Sequence, residues 1–397
     1  MLADGRDVIR LGFGQSPFPV PEVVVDELRR QAHRKAYLPV QGLPELRDAV
    51  AGFLERTEGL SYPAEQVLIG PGTKELMFLL QFVCEAELLL PSPSWVSYAP
   101  QAGITGRPVR WLTDAADTDT GLDPNALDAL CAEEPQRMRL LVLNYPNNPT
   151  GGTYTAEQLE AIANVARKHQ VLVLSDEIYS GLHFEGQHVS IARFYPEGTI
   201  ICNGLSKWCG AGGWRLGAFT FPPQLKWLLD AMSALATETF TSVSAPVQYA
   251  AVPAFEGGAA MDAYLARVRR ILKALMNYAW QELRSAGASA PQPRGGFYLF
   301  PNVESLRTRL GIENGANLCS QLLDDTGVAV LPGGDFGRPA SELSMRIACV
   351  DFDGAAAMQG IAAVAGTDLP DEAFLREYCQ PTVNGIDRLC SWLSQRR

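Results

Sequence analysis

Short apolar runs alternate, along the first half of the chain, with longer stretches whose apolar positions recur every three or four residues. Val67-Leu68-Ile69, Leu88-Leu89-Leu90, Leu140-Leu141-Val142-Leu143, Val171-Leu172-Val173-Leu174 and Thr199 to Cys202 are too short for helices and show no polar alternation, which predicts strands buried on both faces. Arg107 to Leu112 alternates as a strand. Helical spacing marks Pro21 to Lys35 (Val24, Leu28 and Ala32 inward), Glu45 to Glu55 (Leu46, Val50, Phe53 and Leu54 inward), Glu75 to Val83 and, after a polar loop, Asp123 to Cys131. Thr155-Ala156-Glu157-Gln158 is a capping box that opens an amphipathic helix to Lys168. Strand, helix and strand in succession form a βαβ unit. The pattern predicts an α/β fold, with a mostly parallel central sheet covered by helices on both faces.

The second half is more helical. Pro222 to Leu235 is amphipathic, Phe240 to Pro246 is a polar loop before a helix through Phe255, and Met261 to Ala286 reads as one long helix, a spine between domains. Gly295 to Phe300, Val328 to Leu331 and Ser344 to Cys349 read as strands, and terminal helices follow from Gly366 onward. The expected division is a large domain over 36–260 and a smaller α+β domain built from 1–35 and 261–397.

Composition narrows the function classes. With 397 residues, the chain can bury a large core. A hydrophobic content of 47%, a charged content of 19%, a net charge of −11 and a pI near 5.0 suit a soluble enzyme and argue against a nucleic-acid partner, which demands a basic face. No apolar run approaches the roughly 18 residues of a membrane span, and Met1 to Arg10 contains no signal-like apolar region. The eight cysteines (84, 131, 202, 209, 319, 349, 379 and 390) form no Cys-x-x-Cys pair, so reduced thiols in a cytoplasmic protein are expected. Four histidines offer no metal-ligand pattern, and no metal is expected.

The candidate chemistry gathers at strand ends. Lys207 follows the turn signal Asn203-Gly204 directly after the run Thr199 to Cys202. An ammonium at the mouth of a core is destabilised by desolvation, and the neutral amine can attack a carbonyl to form a Schiff base. Arg215, framed by glycines eight residues later, suits an anionic group on the same ligand. Gly70-Pro71-Gly72-Thr73-Lys74 turns a strand into a helix, whose N-terminus can bind phosphate through backbone N–H groups and the helix dipole. Trp95, just past Leu88 to Leu90, can stack on a flat ring or pack in the core. Asn148, Asp176 and Lys207 each fall just beyond the carboxyl end of a successive buried strand, the edge at which open α/β sheets bind ligands. Gly14 would let backbone approach a ligand, and Tyr37 offers a phenol from a loop or a packed aromatic. Arg346 stands inside an apolar strand and must be paired, either by a substrate carboxylate or by Asp351 or Asp353.

Laid side by side, these segments resemble fold type I pyridoxal-phosphate enzymes, specifically class I/II aminotransferases of the aspartate type, over roughly Leu11 to Phe352. The resemblance rests on Asn-Gly-Leu-Ser-Lys with Gly-Trp-Arg-Leu-Gly after it, Asn147-Asn148-Pro149-Thr150-Gly151, Ser175-Asp176-Glu177-Ile178-Tyr179 and Trp95-Val96-Ser97-Tyr98. It implies pyridoxal 5′-phosphate as cofactor, with Lys207 as the Schiff-base lysine and proton shuttle and Asp176 holding the protonated ring nitrogen. By the same resemblance, Asn148 and Tyr179 bond the ring's 3′ oxygen, Trp95 stacks on the ring, and Gly72, Thr73, Lys74 and Arg215 cradle the phosphate. It further implies a homodimer with shared active sites, in which Tyr37, and Thr241 or Ser242, reach the neighbour's phosphate. Arg346 and the backbone of Gly14, with Trp95 and Asn148 beside them, would bind the substrate α-carboxylate, and the Asn148–Pro149 bond would be cis.

The sequence departs from the pattern in three places: Gly204 stands where many relatives carry Ser, the N-terminal arm is short, and Cys84-Glu85-Ala86-Glu87 replaces a longer turn. The implied reaction moves the amino group of an α-amino acid to a 2-oxo acid in a ping-pong cycle. A β-elimination lyase on the same fold is the alternative. A non-enzymatic DNA-binding regulator is disfavoured by the charge and by a pattern that begins at Leu11.

Overall fold

Seven strands form the central sheet, and their side chains explain why it is buried. The computed structural model describes residues 7–113 and 121–395. A two-residue strand near its start, β1 (Ile9–Arg10), belongs to a small sheet described below. The central sheet comprises β2 (Val67–Gly70), β3 (Glu87–Ser92), β4 (Val109–Thr113), β5 (Arg139–Asn144), β6 (Leu172–Asp176), β7 (Thr199–Gly204) and β8 (Gly217–Thr220). Their spatial order is β2-β8-β7-β6-β5-β3-β4, and only β8 runs against its two neighbours. Alternate residues serve opposite faces. Leu88, Leu90, Leu140, Val142, Leu172 and Leu174 pack with the helices Thr73–Val83, Tyr98–Thr105 and Lys226–Thr239. Leu89, Leu141, Leu143 and Val173 pack with Pro124–Glu133 and Ala156–Lys168. Both faces are therefore covered, as unbroken apolar strands require.

Local signals hold at several ends. Thr155 caps the helix Ala156–Lys168 through a complete capping box with Gln158, and Asp123 caps Pro124–Glu133. The polar loop expected before Asp123 falls largely on 114–120, and part of the stretch Met1 to Arg10, read as carrying no signal-like apolar region, on 1–6; both lie outside the described residues. β8 is the element the hydrophobic pattern did not single out, because Gly217-Ala218-Phe219-Thr220 is short and begins with glycine.

The remaining strands are short: β9 (Tyr298–Leu299), β10 (Val328–Ala329), β11 (Leu331–Pro332) and β12 (Met345–Ala348). β1 pairs with β10, and β11-β12-β9 form a three-stranded sheet. The single strand expected over Val328 to Leu331 is thus two strands serving different sheets. The long helix is confirmed as Ala259–Ser285, and its buried face joins the core cluster that runs from Ile9 and Leu11 to Leu393. All eight cysteines are free and buried. Among the described residues, no helix is long and apolar enough to cross a membrane.

Candidate active site

The order of the strands reverses at β3: the chain steps outward to β4 and then returns to β5 on the other side. A ligand crevice forms at such a switch point, outside the carboxyl ends of the strands. A cavity of about 580 Å³ opens there, and Thr73, Lys74, Trp95, Asn148, Asp176, Tyr179, Lys207, Arg215, Arg346 and Gly14 line it. Ten residues singled out in the sequence are therefore brought together. Gly72 stands directly behind the wall. It takes φ of 91° as the residue before the helix Thr73–Val83, and a Cβ there would lie 2.1 Å from Arg215 Nη2. Tyr37 does not line the cavity and is 89% exposed.

Lys207 lies in the loop after β7, and its Nζ donates to the Gly14 carbonyl at 2.8 Å. Burial lowers its pKa to about 8; Arg346 adds to the effect, Asp176 opposes it, and Arg215 and Lys74 lower it further. At pH 7 roughly a tenth of such an amine is neutral, against well under a hundredth for an ordinary lysine. Asp176 ends β6 with its carboxylate buried. Tyr98 Oη donates to Oδ2 at 2.5 Å, while the Ile178 backbone N–H at 3.3 Å and the Cys202 thiol at 3.4 Å donate to Oδ1. Burial raises this carboxyl to about 6, and the hydrogen bonds hold it from rising further.

Arg346 on β12 is buried, and its fork is fixed. Nη1 donates to Asn148 Oδ1 at 3.1 Å and Nη2 to the Gly12 carbonyl at 2.6 Å. The rings of Tyr298 and Phe336 flank the guanidinium at 4.7 and 4.9 Å, and its Nε is buried without a partner. The structure rules out a pairing with Asp351 or Asp353. Asp351 accepts from the backbone of Arg10, and Asp353 caps the helix Gly354–Gly360. A buried guanidinium with no carboxylate within salt-bridge distance among the described residues is suited to an incoming anion.

Two further expectations are corrected or explained. The Asn148–Pro149 bond is trans; the cis bonds are Ser92–Pro93 and Tyr145–Pro146. Asn144 Oδ1 instead fixes the Asn148 backbone N–H at 2.7 Å. Gly204 has no room for the serine of many relatives, since a Cβ there would sit 2.8 Å from the Leu216 carbonyl. Ser206, two residues on, lines the cavity instead.

Sequence reasoning gave no role to Tyr98, which it quoted only as the end of Trp95-Val96-Ser97-Tyr98, nor to Asn144 and Tyr298; all three line the cavity. Tyr179 Oη donates to Tyr298 Oη at 3.1 Å, and Gly14 must be glycine because a Cβ would fall 1.7 Å from that same Tyr298 oxygen. Beyond the motif that ends at Tyr98, neither Tyr98 nor Tyr298 carries a local signal of its partner.

The groups fit a flat ring that carries phosphate, an aldehyde and a basic nitrogen. The helix end beginning at Thr73 and the exposed guanidinium of Arg215 offer an anion cradle. Trp95 offers a ring face, Asp176 a carboxylate for the nitrogen, and Lys207 an amine for the carbonyl.

Comparison with known proteins agrees. The family model "Aminotransferase class I and II" matches residues 6–354. The aspartate aminotransferase of Bacillus subtilis is 32% identical over 350 residues, covering 85% of this chain and 86% of that protein. The asparagine–oxo-acid transaminase of Streptococcus mutans is 32% identical over 356 residues, covering 85% and 87%. Among solved structures, Thermus thermophilus aspartate aminotransferase with maleate superposes with a TM-score of 0.82 at 28% identity, over 98% of this chain and 93% of that one. Each of these relatives is a transaminase, and nothing among them favours the β-elimination alternative. The chain belongs to the class I and II aminotransferases, pyridoxal-phosphate-dependent enzymes that move an amino group from an amino acid to a 2-oxo acid.

Proposed function

We propose that the cavity at the carboxyl end of the sheet is the transamination site, with Lys207 as its central base. The observation that carries this reading is one desolvated amine sharing a cavity with a buried carboxylate, Asp176, and a guanidinium, Arg346, that has no carboxylate partner among the described residues. Pyridoxal 5′-phosphate, when bound, supplies an aldehyde and a ring that accepts electrons once its nitrogen is protonated. Gly72, Thr73, Lys74 and Arg215 would hold its phosphate, Trp95 its ring face, Asn148 and Tyr179 its 3′ oxygen, and Asp176 its nitrogen. Arg346, with the backbone at Gly14, takes the substrate α-carboxylate and so orients the Cα–H toward Lys207. The Lys207 amine accepts that proton and returns one at the end of the half-reaction. Lys207 Nζ lies 5.7 Å from the Tyr179 ring centroid, Tyr179 and Tyr298 hold each other, and Tyr298 stacks against Arg346, so a row of contacts links the base to the anchor.

The same reading takes residues 36–260 as the cofactor-binding domain, with 1–35 and 261–397 as the smaller one. It also takes the working form as a cytoplasmic homodimer. Tyr37 and Thr241 support this, since both are exposed on the single chain and away from its own cavity. Ser242 is the alternative to Thr241. The test is an absorption spectrum of the purified, cofactor-loaded protein titrated with amino acids. Donors convert the aldehyde form of the cofactor to its amine form, and a 2-oxo acid reverses the change. A spectrum that no amino acid alters refutes the reading, as does retained turnover in Lys207→Ala.

A further inference from the structure

Cys202 and Tyr98 are the two side-chain donors to Asp176, and the proposed chemistry gives neither a task. Cys202 lies on β7 directly beside Asp176 on β6, and it is fully buried. Its thiol donates to Asp176 Oδ1 at 3.4 Å, and the Thr73 hydroxyl hydrogen-bonds its sulfur. Thr73 opens the helix Thr73–Val83, whose N-terminus faces Arg215. Cys202 therefore stands between the anionic and the cationic ends of the cavity. Tyr98 Oη occupies Oδ2 of the same carboxylate at 2.5 Å.

Both donors keep their protons. Burial, reinforced by the adjacent Asp176, pushes the Tyr98 phenol and the Cys202 thiol well above their ordinary ranges. Towards the carboxylate they can only donate, which favours its charged form. The other titratable groups at this spot are Tyr179 from the loop after β6 and Lys207 from the loop after β7, with Glu177 acting on Cys202. Of these, Lys207 alone offers a positive charge to Asp176.

We propose that Cys202, acting with Tyr98, is a positioning residue that holds the Asp176 carboxylate ionised and aimed into the cavity, and through Thr73 ties it to the anion-binding helix end. This rests on the assignment of Asp176 to the ring nitrogen of the cofactor. In return, the carboxylate stays competent at a depth where burial alone would neutralise it.

The test measures binding of pyridoxine 5′-phosphate to the full-length apoprotein between pH 5 and 8. This probe keeps the ring nitrogen and the phosphate but has no aldehyde for Lys207, and the change in tryptophan fluorescence that is lost in Trp95→Phe reports its binding. Affinity falls on the acid side as Asp176 becomes protonated. The midpoint of that fall is expected to rise by about half a pH unit in Cys202→Ala and by about one unit in Tyr98→Phe, the sizes of a weak thiol donor and a strong phenol donor. Cys202→Ser is expected to restore the wild-type midpoint although its hydroxyl packs no better than alanine. A packing role predicts the reverse, with both Cys202 variants losing thermal stability and neither moving the midpoint. An unmoved midpoint in Cys202→Ala, or equal shifts in the Ala and Ser variants, overturns the role of Cys202. An unmoved midpoint in Tyr98→Phe, which keeps the ring in place, overturns the shared role. Failure of the wild-type protein to bind the probe at any pH overturns instead the assignment of the cavity, on which the inference stands.

Discussion

Replacing Arg346 with glutamine removes a guanidinium whose geometry is set before any substrate arrives. Two of its nitrogens are held by Asn148 Oδ1 at 3.1 Å and the Gly12 carbonyl at 2.6 Å, two aromatic faces sandwich it, and its Nε faces no acceptor. A substrate carboxylate docking there gains two charge-assisted hydrogen bonds, each about 1.5–3 kcal/mol. Losing the pair costs about 3–5 kcal/mol, which corresponds to a drop in kcat/KM of about a hundredfold to a few thousandfold. The informative assay is the single half-reaction, followed by the cofactor's absorbance, with an α-amino acid and with the primary amine that lacks only its carboxylate. The wild-type protein is expected to prefer the amino acid by that factor, and Arg346→Gln to show almost no preference. Arg346→Lys, which keeps the charge without the fork, is expected to fall between. Cofactor affinity is expected to change far less, because of the residues assigned to the cofactor Arg346 hydrogen-bonds only Asn148, and neither Asp176 nor the phosphate cradle. If the variant slows both substrates equally, or keeps a preference within tenfold of wild type, Arg346 is not the carboxylate anchor.

Other outcomes follow from the same geometry. The Lys207 amine is lowered to about 8, chiefly by burial and secondly by Arg346; its modification in the apoprotein by a small carbonyl reagent is expected to rise about tenfold per pH unit up to 8 and then level off. A rise continuing past pH 9.5 would show an ordinary solvated lysine, and in Arg346→Gln the plateau is expected at higher pH. Gly14→Ala places a Cβ 1.7 Å from Tyr298 Oη, so either that ring or the N-terminal segment must move; kcat/KM for amino acids is expected to fall at least tenfold while melting temperature changes little, and wild-type kinetics would refute the contact. Tyr37→Phe is expected to weaken cofactor binding only in the dimer, which dilution series of binding against oligomeric state can check; equal weakening in a dissociated chain would contradict its reach across an interface.

How far the sequence was legible depended on the range of the interactions involved. The helix at Ala156 was readable because its capping box is written within four residues, and Asn148, Asp176 and Lys207 because each closes a run too apolar to be anything but a buried strand. Partners that meet only across the fold left no trace. Tyr98 finds Asp176 at a separation of 78 residues, and Tyr179 finds Tyr298 at 119. Asp351 looked like a neighbour for Arg346 along the chain, but the N-terminal strand claims it. β8 escaped notice because a four-residue strand starting with glycine has little apolar signal, although its antiparallel place is what lets β2 join the sheet.

The segment Gly12 to Gly14 has a consequence for biosynthesis. Its carbonyls receive Arg346 across 334 residues and Lys207 across 193, so the beginning of the chain waits for both. At the usual pace of translation, about 5–20 residues per second, the ribosome delivers the carboxylate first, the amine next and the guanidinium some seven to thirty seconds after the amine. During that interval a nascent chain already carries the lysine and the phosphate cradle but lacks the guanidinium that the Gly12 carbonyl receives, so this contact of the cavity is made last.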